Sequence, residues 1–366
     1  MQLIFLGTAS CYPTAHRGVS CTALRLDDGN VWIFDCGEGS QVQIQKSSVL
    51  PGKIKKIFIT HLHGDHLFGL PGLVCTLGCQ VQDRKEPFIL DIYGPLGLRR
   101  YLRESLKLSV SPLPFKYKVH ELVPFDFKGT LFESQEWQIA VGSLHPQEEL
   151  GDTIYEKQGV WNVMLENNIS VYAGPLVHRI PCFGYVVKES PSPGALNVLQ
   201  LKKEGVPPGP LYKQIKDGHP IALPSGKIII PEEVLGPPKP GRCITILGDT
   251  CDSSALKDIA INSDVLVHEA TLEESMKDKA IEHGHSTPVM AVSFAESIAA
   301  KKLILFHFSQ RYKRDTGEAG EDGDNNTSVN ILHKEAELEC NKRNFICDIM
   351  LAEDLLEIDV KRPVPK

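Results

Sequence analysis

The stretch Thr60-His61-Leu62-His63-Gly64-Asp65-His66 follows directly on the apolar run Ile57-Phe58-Ile59. Its potential ligands have the order His-x-His-x-Asp-His, and neutral imidazoles with a carboxylate suit zinc or a similar divalent ion. The first two histidines, in an extended segment, project to the same side and can bind one ion. The Asp-His pair beyond the glycine can turn toward a second ion. A solvated histidine-rich loop is the alternative, but so crowded a cluster is costly without a metal, and the stretch therefore predicts a metal site.

Several short apolar runs end in polar residues that can carry chemistry. Each run is three or four residues of β-branched or other apolar character, as is typical of a buried strand. Because loops at strand ends present functional groups while strands supply rigidity, the recurrence predicts one functional rim of a layered sheet structure. For any single residue, the alternative is a polar residue that marks where a strand leaves the core. The residues that follow these runs are Asp35, His61, Asp249, His268 and His307.

Helices are predicted between these strands, which indicates an α/β fold. Ser286-Thr287-Pro288 supplies an N-cap and a proline for a first turn, and apolar residues follow at helical spacing at positions 291, 294, 295 and 298. Residues 37–45 similarly indicate a glycine turn that opens a helix.

A centre with two metal ions needs ligands beyond the local motif. Asp249 is the best bridging candidate, because its two oxygens can each face one ion, and His307 is a natural terminal ligand. The first ion still needs a third histidine. The position of His178 between two strands favours it for this role. His120 and His145 remain alternatives, but they are less favoured because the sequences after them resemble strand ends less.

The predicted centre also needs groups that move protons. Two zinc ions about 3.5–4 Å apart can activate a water and stabilise charge on a phosphoryl group during its displacement. Asp65 can both bind metal and accept a proton from that water. His285, on a loop just before a helix, is the candidate proton donor, with capping of the helix as its alternative role. Asp35 is placed to orient an imidazole from outside the ligand set.

Composition places limits on the compartment and on partners. The chain has 366 residues, 42% of them hydrophobic and 23% charged, as expected for a globular protein with a large core. It opens as an apolar strand without a basic leader, so we expect no secretory signal. No run approaches the ~18 consecutive apolar residues that span a bilayer, so we expect no membrane association. Ten scattered cysteines predict reduced thiols and a cytoplasmic location, with the nucleus as a second compartment. A net charge of −7 means that nucleic acid must be bound by a local patch.

Residues 189–241 break the alternation of strands and helices. The segment holds eleven of the 25 prolines and seven glycines, with little regular periodicity. Such a composition is typical of a projecting, semi-rigid arm more than of a packed layer. A plain surface insertion is the alternative.

Together these motifs resemble the metallo-β-lactamase superfamily and, within it, short-form ribonuclease Z, the zinc phosphodiesterase that trims tRNA 3′ ends. The resemblance runs nearly from end to end of the chain. The His-x-His-x-Asp-His motif specifies only the superfamily, whereas the His-Glu-Ala-Thr and His-Ser-Thr elements and the Pro/Gly-rich segment point to ribonuclease Z. The matching motifs are Phe5-Leu6-Gly7-Thr8, Phe34-Asp35-Cys36-Gly37-Glu38-Gly39, residues 61–66, His178-Arg179-Ile180-Pro181, Gly248-Asp249, His268-Glu269-Ala270-Thr271, His285-Ser286-Thr287 and His307-Phe308-Ser309-Gln310-Arg311-Tyr312.

The resemblance implies an αβ/βα sandwich with a projecting arm insertion and two Zn²⁺ per subunit. It implies an endoribonuclease that removes the 3′ trailer from precursor tRNA by attack of a metal-activated hydroxide and leaves a 3′-hydroxyl on the tRNA. Asp65 and His285 would carry the proton transfers. One zinc ion would be bound by His61, His63, His178 and Asp249, and the other by Asp65, His66, Asp249 and His307.

The resemblance also implies a homodimer, in which the arm grips the elbow of the tRNA bound by the partner subunit. Residues 1–188 and 242–366 would form the catalytic domain, and residues 189–241 the arm. The family arm reads Gly-Pro-x-Tyr-Gly-Lys-Leu-Lys, whereas here Gly209-Pro210-Leu211-Tyr212-Lys213-Gln214-Ile215-Lys216 shifts a positive charge by one position. The candidate tRNA contacts are Lys202, Lys203, Lys213, Lys216 and Arg311.

Two other functions are compatible with parts of this sequence. A hydrolase of the same superfamily that acts on a small phosphodiester, ester or thioester would need no arm. A catalytically silent nucleic-acid-binding subunit would need no ligands, yet all seven predicted ligand positions are filled. Assays of zinc-replete and EDTA-treated protein on precursor tRNA and on a small chromogenic phosphodiester discriminate the three.

Overall fold

Two facing β-sheets make up the centre of the computed structural model, which describes residues 1–81, 87–123, 143–313 and 328–363. The strands of the first sheet are β1 (Gln2–Gly7), β2 (Cys21–Arg25), β3 (Val31–Phe34), β4 (Ile54–Phe58), β5 (Ile89–Pro95), β6 (Lys116–Val123), β7 (Glu148–Tyr155) and β17 (Glu357–Asp359). Their order is β17-β1-β2-β3-β4-β5-β6-β7, and the neighbours from β3 to β7 are parallel.

The second sheet has the same mixed character. Its strands are β8 (Trp161–Glu166), β9 (Ile169–Leu176), β10 (Cys182–Glu189), β13 (Cys243–Ile246), β14 (Val265–Glu269), β15 (Lys302–Phe306) and β16 (Asp348–Leu351). Their order is β16-β15-β14-β13-β10-β9-β8, with parallel pairing from β13 to β16.

Helices cover the outer side of each sheet, so the predicted α/β class and αβ/βα layering are confirmed. The first sheet is covered by α1 (Ser40–Lys46), α2 (Gly64–Leu67), α3 (Leu70–Val81) and α4 (Leu98–Leu108). The second is covered by α8 (Lys257–Ala260), α10 (Pro288–Ser297) and α11 (Asn330–Arg343). Helix α9 (Lys277–Glu282) lies between β14 and α10 in the chain. Short 3₁₀ helices lie at Pro51–Lys53, Ser254–Leu256 and Glu274–Met276. Among the helices of the described ranges, none combines the length and hydrophobicity that crossing a bilayer requires.

The predicted start of α10 is confirmed in detail. The helix begins at Pro288, and the Thr287 side chain accepts a hydrogen bond from the Met290 backbone N–H. Thr287 is therefore the N-cap, and His285 is not. The glycine turn predicted before α1 is also present, because Gly39 adopts a left-handed conformation with φ 77° directly before Ser40.

Aromatic side chains hold the two sheets together beneath the metal-binding stretch. The Phe58 ring, at the end of β4, stacks on Phe34 and Tyr93 with centroid distances of 4.9 and 5.0 Å. It meets Tyr185 of the second sheet edge-on at 5.4 Å. Such pairs favour defined geometry beyond their buried area. The loop that begins two residues after Phe58 therefore leaves from a rigid base.

The arm, residues 189–241, differs from the prediction. We expected a projecting segment without a packed layer, but it contains α5 (Val198–Lys203), α6 (Pro210–Lys216), α7 (Pro231–Val234) and a hairpin of β11 (Ile221–Ala222) and β12 (Ile228–Ile229). These elements enclose a small apolar cluster of their own. The sequence did not reveal this cluster, because its apolar residues are widely spaced among prolines and show no periodicity. The buried members of the cluster are Leu201, Val206, Ile215, Ile221, Ile229 and Val234.

Candidate metal centre

The predicted ligands meet at the edge where the parallel strands of both sheets end. His61 follows β4 of the first sheet, while Asp249 and His307 follow β13 and β15 of the second. Ligand sites of open α/β sheets characteristically lie outside the carboxyl ends of strands. Here the two edges face each other across an open cleft of about 560 Å³, and four of the seven predicted ligands line it: His63, Asp65, Asp249 and His307.

The first group of ligand atoms belongs to His61, His63, His178 and Asp249. Nε2 of His178 lies 3.1 Å from Nδ1 of His63 and 3.9 Å from Oδ2 of Asp249. Nε2 of His61 lies 3.7 Å from the same carboxylate oxygen. One ligand atom of each residue lies within 4.8 Å of all the others, a spacing that suits ligation of a common ion.

The second group belongs to Asp65, His66, Asp249 and His307. Nε2 of His66 and Nε2 of His307 lie 3.2 and 3.3 Å from Oδ1 of Asp249. Oδ2 of Asp65 lies 3.3 Å from Nε2 of His307. The structure therefore brings together all seven residues that were predicted as ligands.

Asp249 joins the two groups through its two oxygens. Oδ2 faces His61 and His178, whereas Oδ1 faces His66 and His307. Within the residues that the structure describes, Asp249 Oδ1 and His61 Nε2 are buried atoms without a hydrogen-bond partner. Buried polar atoms normally have a partner, so these two donor atoms fit coordination of cations. The residues present thus suit two divalent ions bridged by one carboxylate.

Position in the structure favours His178 as the third histidine, the choice that the sequence left open. His178 contacts His63 in the first group. His120 instead lies within β6, where its ring stacks on Tyr93 at 4.5 Å. His145 lies 3.2 Å from the Ser111 carbonyl, away from the cleft. Only His178 of these three takes part in either ligand group.

The electrostatics of the first group favour neutral imidazoles, the form that binds metal. Burial, followed by the nearby histidines, holds the pKa of His61 well below its usual range. Burial and the neighbouring His178 lower the pKa of His63 to about 4. In the second group, burial also disfavours charge on His66, but Asp249 and Asp35 outweigh it and raise its pKa. A bound cation can take over the positive charge that these carboxylates stabilise.

Neighbouring groups fix the rings through their other nitrogens, as is usual for ligating histidines. Asp35, predicted to orient an imidazole, has Oδ2 2.7 Å from Nδ1 of His66 and also accepts hydrogen bonds from Thr60. Nδ1 of His307 lies 3.0 Å from Oγ1 of Thr271. Both Asp35 and His307 have φ 60°, a left-handed conformation that non-glycine residues adopt rarely.

His285 lies beside both groups and is held by a carboxylate that sequence reasoning missed. Nδ1 of His285 lies 3.0 Å from Oε1 of Glu269. Burial by itself disfavours protonation of His285, but the Glu269 carboxylate outweighs it and raises the pKa of His285 to about 9. Glu269 is fully buried and also accepts hydrogen bonds from Thr250 and Ser286. These bonds occupy its oxygens, so Glu269 orients His285 and is a poor candidate for a ligand.

The prediction that His268 belongs to the functional rim is wrong. Strand β14 continues to Glu269, and successive side chains of a strand point to opposite faces. His268 therefore points into the layer behind the site, 3.3 Å from Ser253 and against the Phe294 ring. The sequence held one signal for Glu269, because this carboxylate directly follows His268 at the end of the strand.

Comparison with known proteins places the chain in a family. The family model described as the metallo-beta-lactamase superfamily matches residues 15–147. The zinc phosphodiesterase ELAC protein 1 of Bos taurus is 43% identical over 376 residues, covering 100% of this chain and 99% of that protein. A ribonuclease Z of Streptococcus suis is 39% identical over 85% of this chain and 90% of its own length.

The chain belongs to the ribonuclease Z family of the metallo-β-lactamase superfamily. A crystal structure of the short form of human tRNase Z covers 100% of both chains with a TM-score of 0.64 and 33% sequence identity. The predicted family is therefore confirmed, and zinc is the cofactor that the ligand groups of this ribonuclease Z-family protein take.

We predict that Gly284→Ala weakens zinc binding about 10–100-fold, the usual effect of disturbing a group that orients a ligand. Gly284 has φ +73°, its carbonyl lies 2.7 Å from Nδ1 of His178, and an added Cβ would lie 2.8 Å from that nitrogen. Gly159→Ala is the matched control, because φ is +79° there and the Cβ meets open space. Competition with a chromogenic chelator measures both zinc equivalents. Equal affinities in wild type and Gly284→Ala would contradict the role of this carbonyl.

Proposed function

We propose that this protein is a zinc-dependent endoribonuclease that removes the 3′ trailer from precursor tRNA and leaves a 3′-hydroxyl on the tRNA. The observation that carries the proposal is the pair of ligand groups joined by Asp249. They lie in a chain that matches a zinc phosphodiesterase over its full length. The solved human relative is a tRNase Z, and its name supports tRNA as the substrate.

The ligand residues would hold two zinc ions at the cleft. His61, His63 and His178 would hold one zinc ion, Asp65, His66 and His307 the other, with Asp249 shared. Bound there, zinc supplies a nucleophile at neutral pH and neutralises charge on the phosphoryl group.

Asp65 is placed to accept the proton of the attacking water. Its Oδ2 accepts a hydrogen bond of 2.6 Å from the Cys11 backbone N–H and lies near His307. Burial alone would favour the protonated acid, but His66 and His307 outweigh it and lower the pKa of Asp65. The carboxylate is therefore ionised at neutral pH and can receive a proton.

His285 is placed to protonate the departing 3′ oxygen. Glu269 occupies Nδ1 of the ring, which leaves Nε2 without a hydrogen-bond partner among the described residues. The ring lies along the cleft, with its centroid 5.6 Å from that of His307. A histidine held by a carboxylate in one tautomer is a recurrent arrangement for proton transfer.

Basic side chains at the rim of the cleft suit an RNA backbone. Arg179, Lys279 and Arg311 line the cleft around the ligand groups. Phosphate contacts position a nucleic acid without reading its sequence. The position of Arg311 in this lining supports its role, predicted from the sequence, as a contact for a phosphate close to the scissile bond.

The arm carries the other predicted tRNA contacts. Lys202 and Lys203 lie in the last turn of α5, and Lys213 and Lys216 in the last turn of α6. All four are exposed, and the arm folds around its own apolar cluster. The four lysines therefore suit contact with tRNA phosphates at a distance from the metal centre.

The protein is further proposed to be a homodimer in the cytoplasm, with the nucleus as a second compartment. Exposed apolar side chains support the dimer, since Tyr12, Val42 and Phe68 are between 48% and 62% exposed and Phe68 lines the cleft. A molar mass of one chain in solution would contradict the dimer.

All ten cysteines are free, which supports a reducing compartment. Exclusion from both compartments in cell fractionation would contradict that location.

His285→Ala should lower turnover of precursor tRNA by about 10²–10⁴-fold, the usual contribution of a positioned proton donor. Zinc content and the fold should be kept, because His285 is neither a proposed ligand nor the cap of α10, whereas thermal stability should fall because the buried Glu269 carboxylate loses its partner. His333→Ala, a histidine on α11 outside the cleft, is the control. Loss of zinc from the His285→Ala protein would assign this residue to the ligands instead.

Replacing the arm by a short Gly/Ser linker should raise KM for precursor tRNA and flatten its salt dependence. The reason is that binding to duplex phosphates releases counterions, so the logarithm of the binding constant falls with the logarithm of the salt concentration by about 0.9 per phosphate neutralised. Hydrolysis of bis(p-nitrophenyl) phosphate at the same centre should persist. Equal losses on both substrates would mean that the arm supports the core. No loss on tRNA would favour a hydrolase of small phosphodiesters.

A further inference from the structure

The two ends of the arm are tied together by an ion pair. Glu189 is the first residue of the arm, and Arg242 directly follows its last residue. Nε and Nη2 of Arg242 donate to the two carboxylate oxygens of Glu189 at 2.9 and 3.0 Å. The Arg242 side chain is only 3% exposed and that of Glu189 is 9% exposed. Buried bidentate pairs of this kind have a defined geometry.

The same pair is anchored to the catalytic domain. Nη1 and Nη2 of Arg242 also donate to the Asp27 carboxylate at 3.1 and 2.5 Å, and Asp27 lies between β2 and β3. From the segment after β17, Arg362 donates to Glu189 and, at 3.0 Å, to the Ser192 hydroxyl. We call Asp27, Glu189, Arg242 and Arg362 the root cluster.

Backbone contacts continue from the root cluster into the arm. Ser192 and Lys239 exchange two backbone hydrogen bonds of 2.9 and 2.8 Å, so the two ends leave as a paired stem. At the base of the stem, Gly241 lies so close to the Glu189 carbonyl that an added Cβ would be 1.8 Å from the oxygen. The chain ends are thus closely paired where they meet the root cluster.

Apolar packing does not set the direction of the arm. Within the described residues, the apolar cluster of the arm is separate from the three clusters of the catalytic domain. The stem continues the antiparallel pairing of β10 with β13, and the root cluster joins it to the turn between β2 and β3 and to the segment after β17. We infer that the root cluster orients the arm and thereby sets the affinity for precursor tRNA; this inference rests on the proposed function.

Substitutions in the root cluster should raise KM for precursor tRNA and leave kcat nearly unchanged. Arg362→Gln and Glu189→Gln should raise KM for precursor tRNA about tenfold, since a misdirected arm loses phosphate contacts that contribute to affinity. The kcat value and hydrolysis of bis(p-nitrophenyl) phosphate should stay within about twofold of wild type. Arg362→Lys, which keeps the charge, should restore most of the affinity. Arg343→Gln is the control, because Arg343 forms similarly exposed ion pairs with Glu296 and Glu339 on α10 and α11.

Hydrogen exchange distinguishes a redirected arm from an unfolded one. The amides of Ser192 and Lys239 should exchange faster in Arg362→Gln, whereas the amide of Leu201 inside the arm should keep its protection. Unchanged KM in the root variants, with a raised KM after arm replacement, would overturn the inference and leave the proposed role of the arm intact. If arm replacement also left KM unchanged, the proposed role of the arm would fail as well. Loss of protection at Leu201 would overturn the inference, because the cluster would then be needed for folding of the arm.

Discussion

The contact of one buried carboxylate with two groups of histidines is the interaction on which the rest of the site depends. Asp249 comes from the second sheet, while His61 and His66 come from the first, so the centre exists only when both sheets are packed face to face. A buried ionised carboxylate is costly unless positive charge compensates it. Two bound cations supply that charge, which makes metal binding and packing of the sheets mutually dependent.

The sandwich supplies the rigidity that this arrangement needs. Phe58 packs between the sheets immediately before the ligand loop, and Asp35 and His307 adopt strained conformations at the ends of β3 and β15. Such strain persists only where the surrounding structure fixes it. The arm is built in a similar way. The root cluster fixes its base, and the arm packs around its own apolar cluster with its lysines exposed.

The ligand set could be predicted from the sequence because its signals are local. Dense spacing identified His61 to His66, and strand-end positions identified Asp249 and His307. Position along the chain favoured His178 over His120 and His145, but only the fold separates them, since the difference lies in which strands face each other. Glu269 was missed because strand alternation, which sends His268 inward, depends on where β14 ends. The cluster of the arm was missed because its apolar residues meet only through tertiary packing.

Anomalous diffraction at the zinc absorption edge, from crystals of the zinc-loaded protein, tests the central claim most directly. The account predicts two peaks per subunit, about 3.5–4 Å apart, on either side of the Asp249 carboxylate. One peak should lie among His61, His63 and His178, and the other among Asp65, His66 and His307. A single peak would contradict the bridging role of Asp249. A peak bound by Glu269 and His285, which with Asp249 and His307 form a third compact group, would contradict the role of His285 as a proton donor.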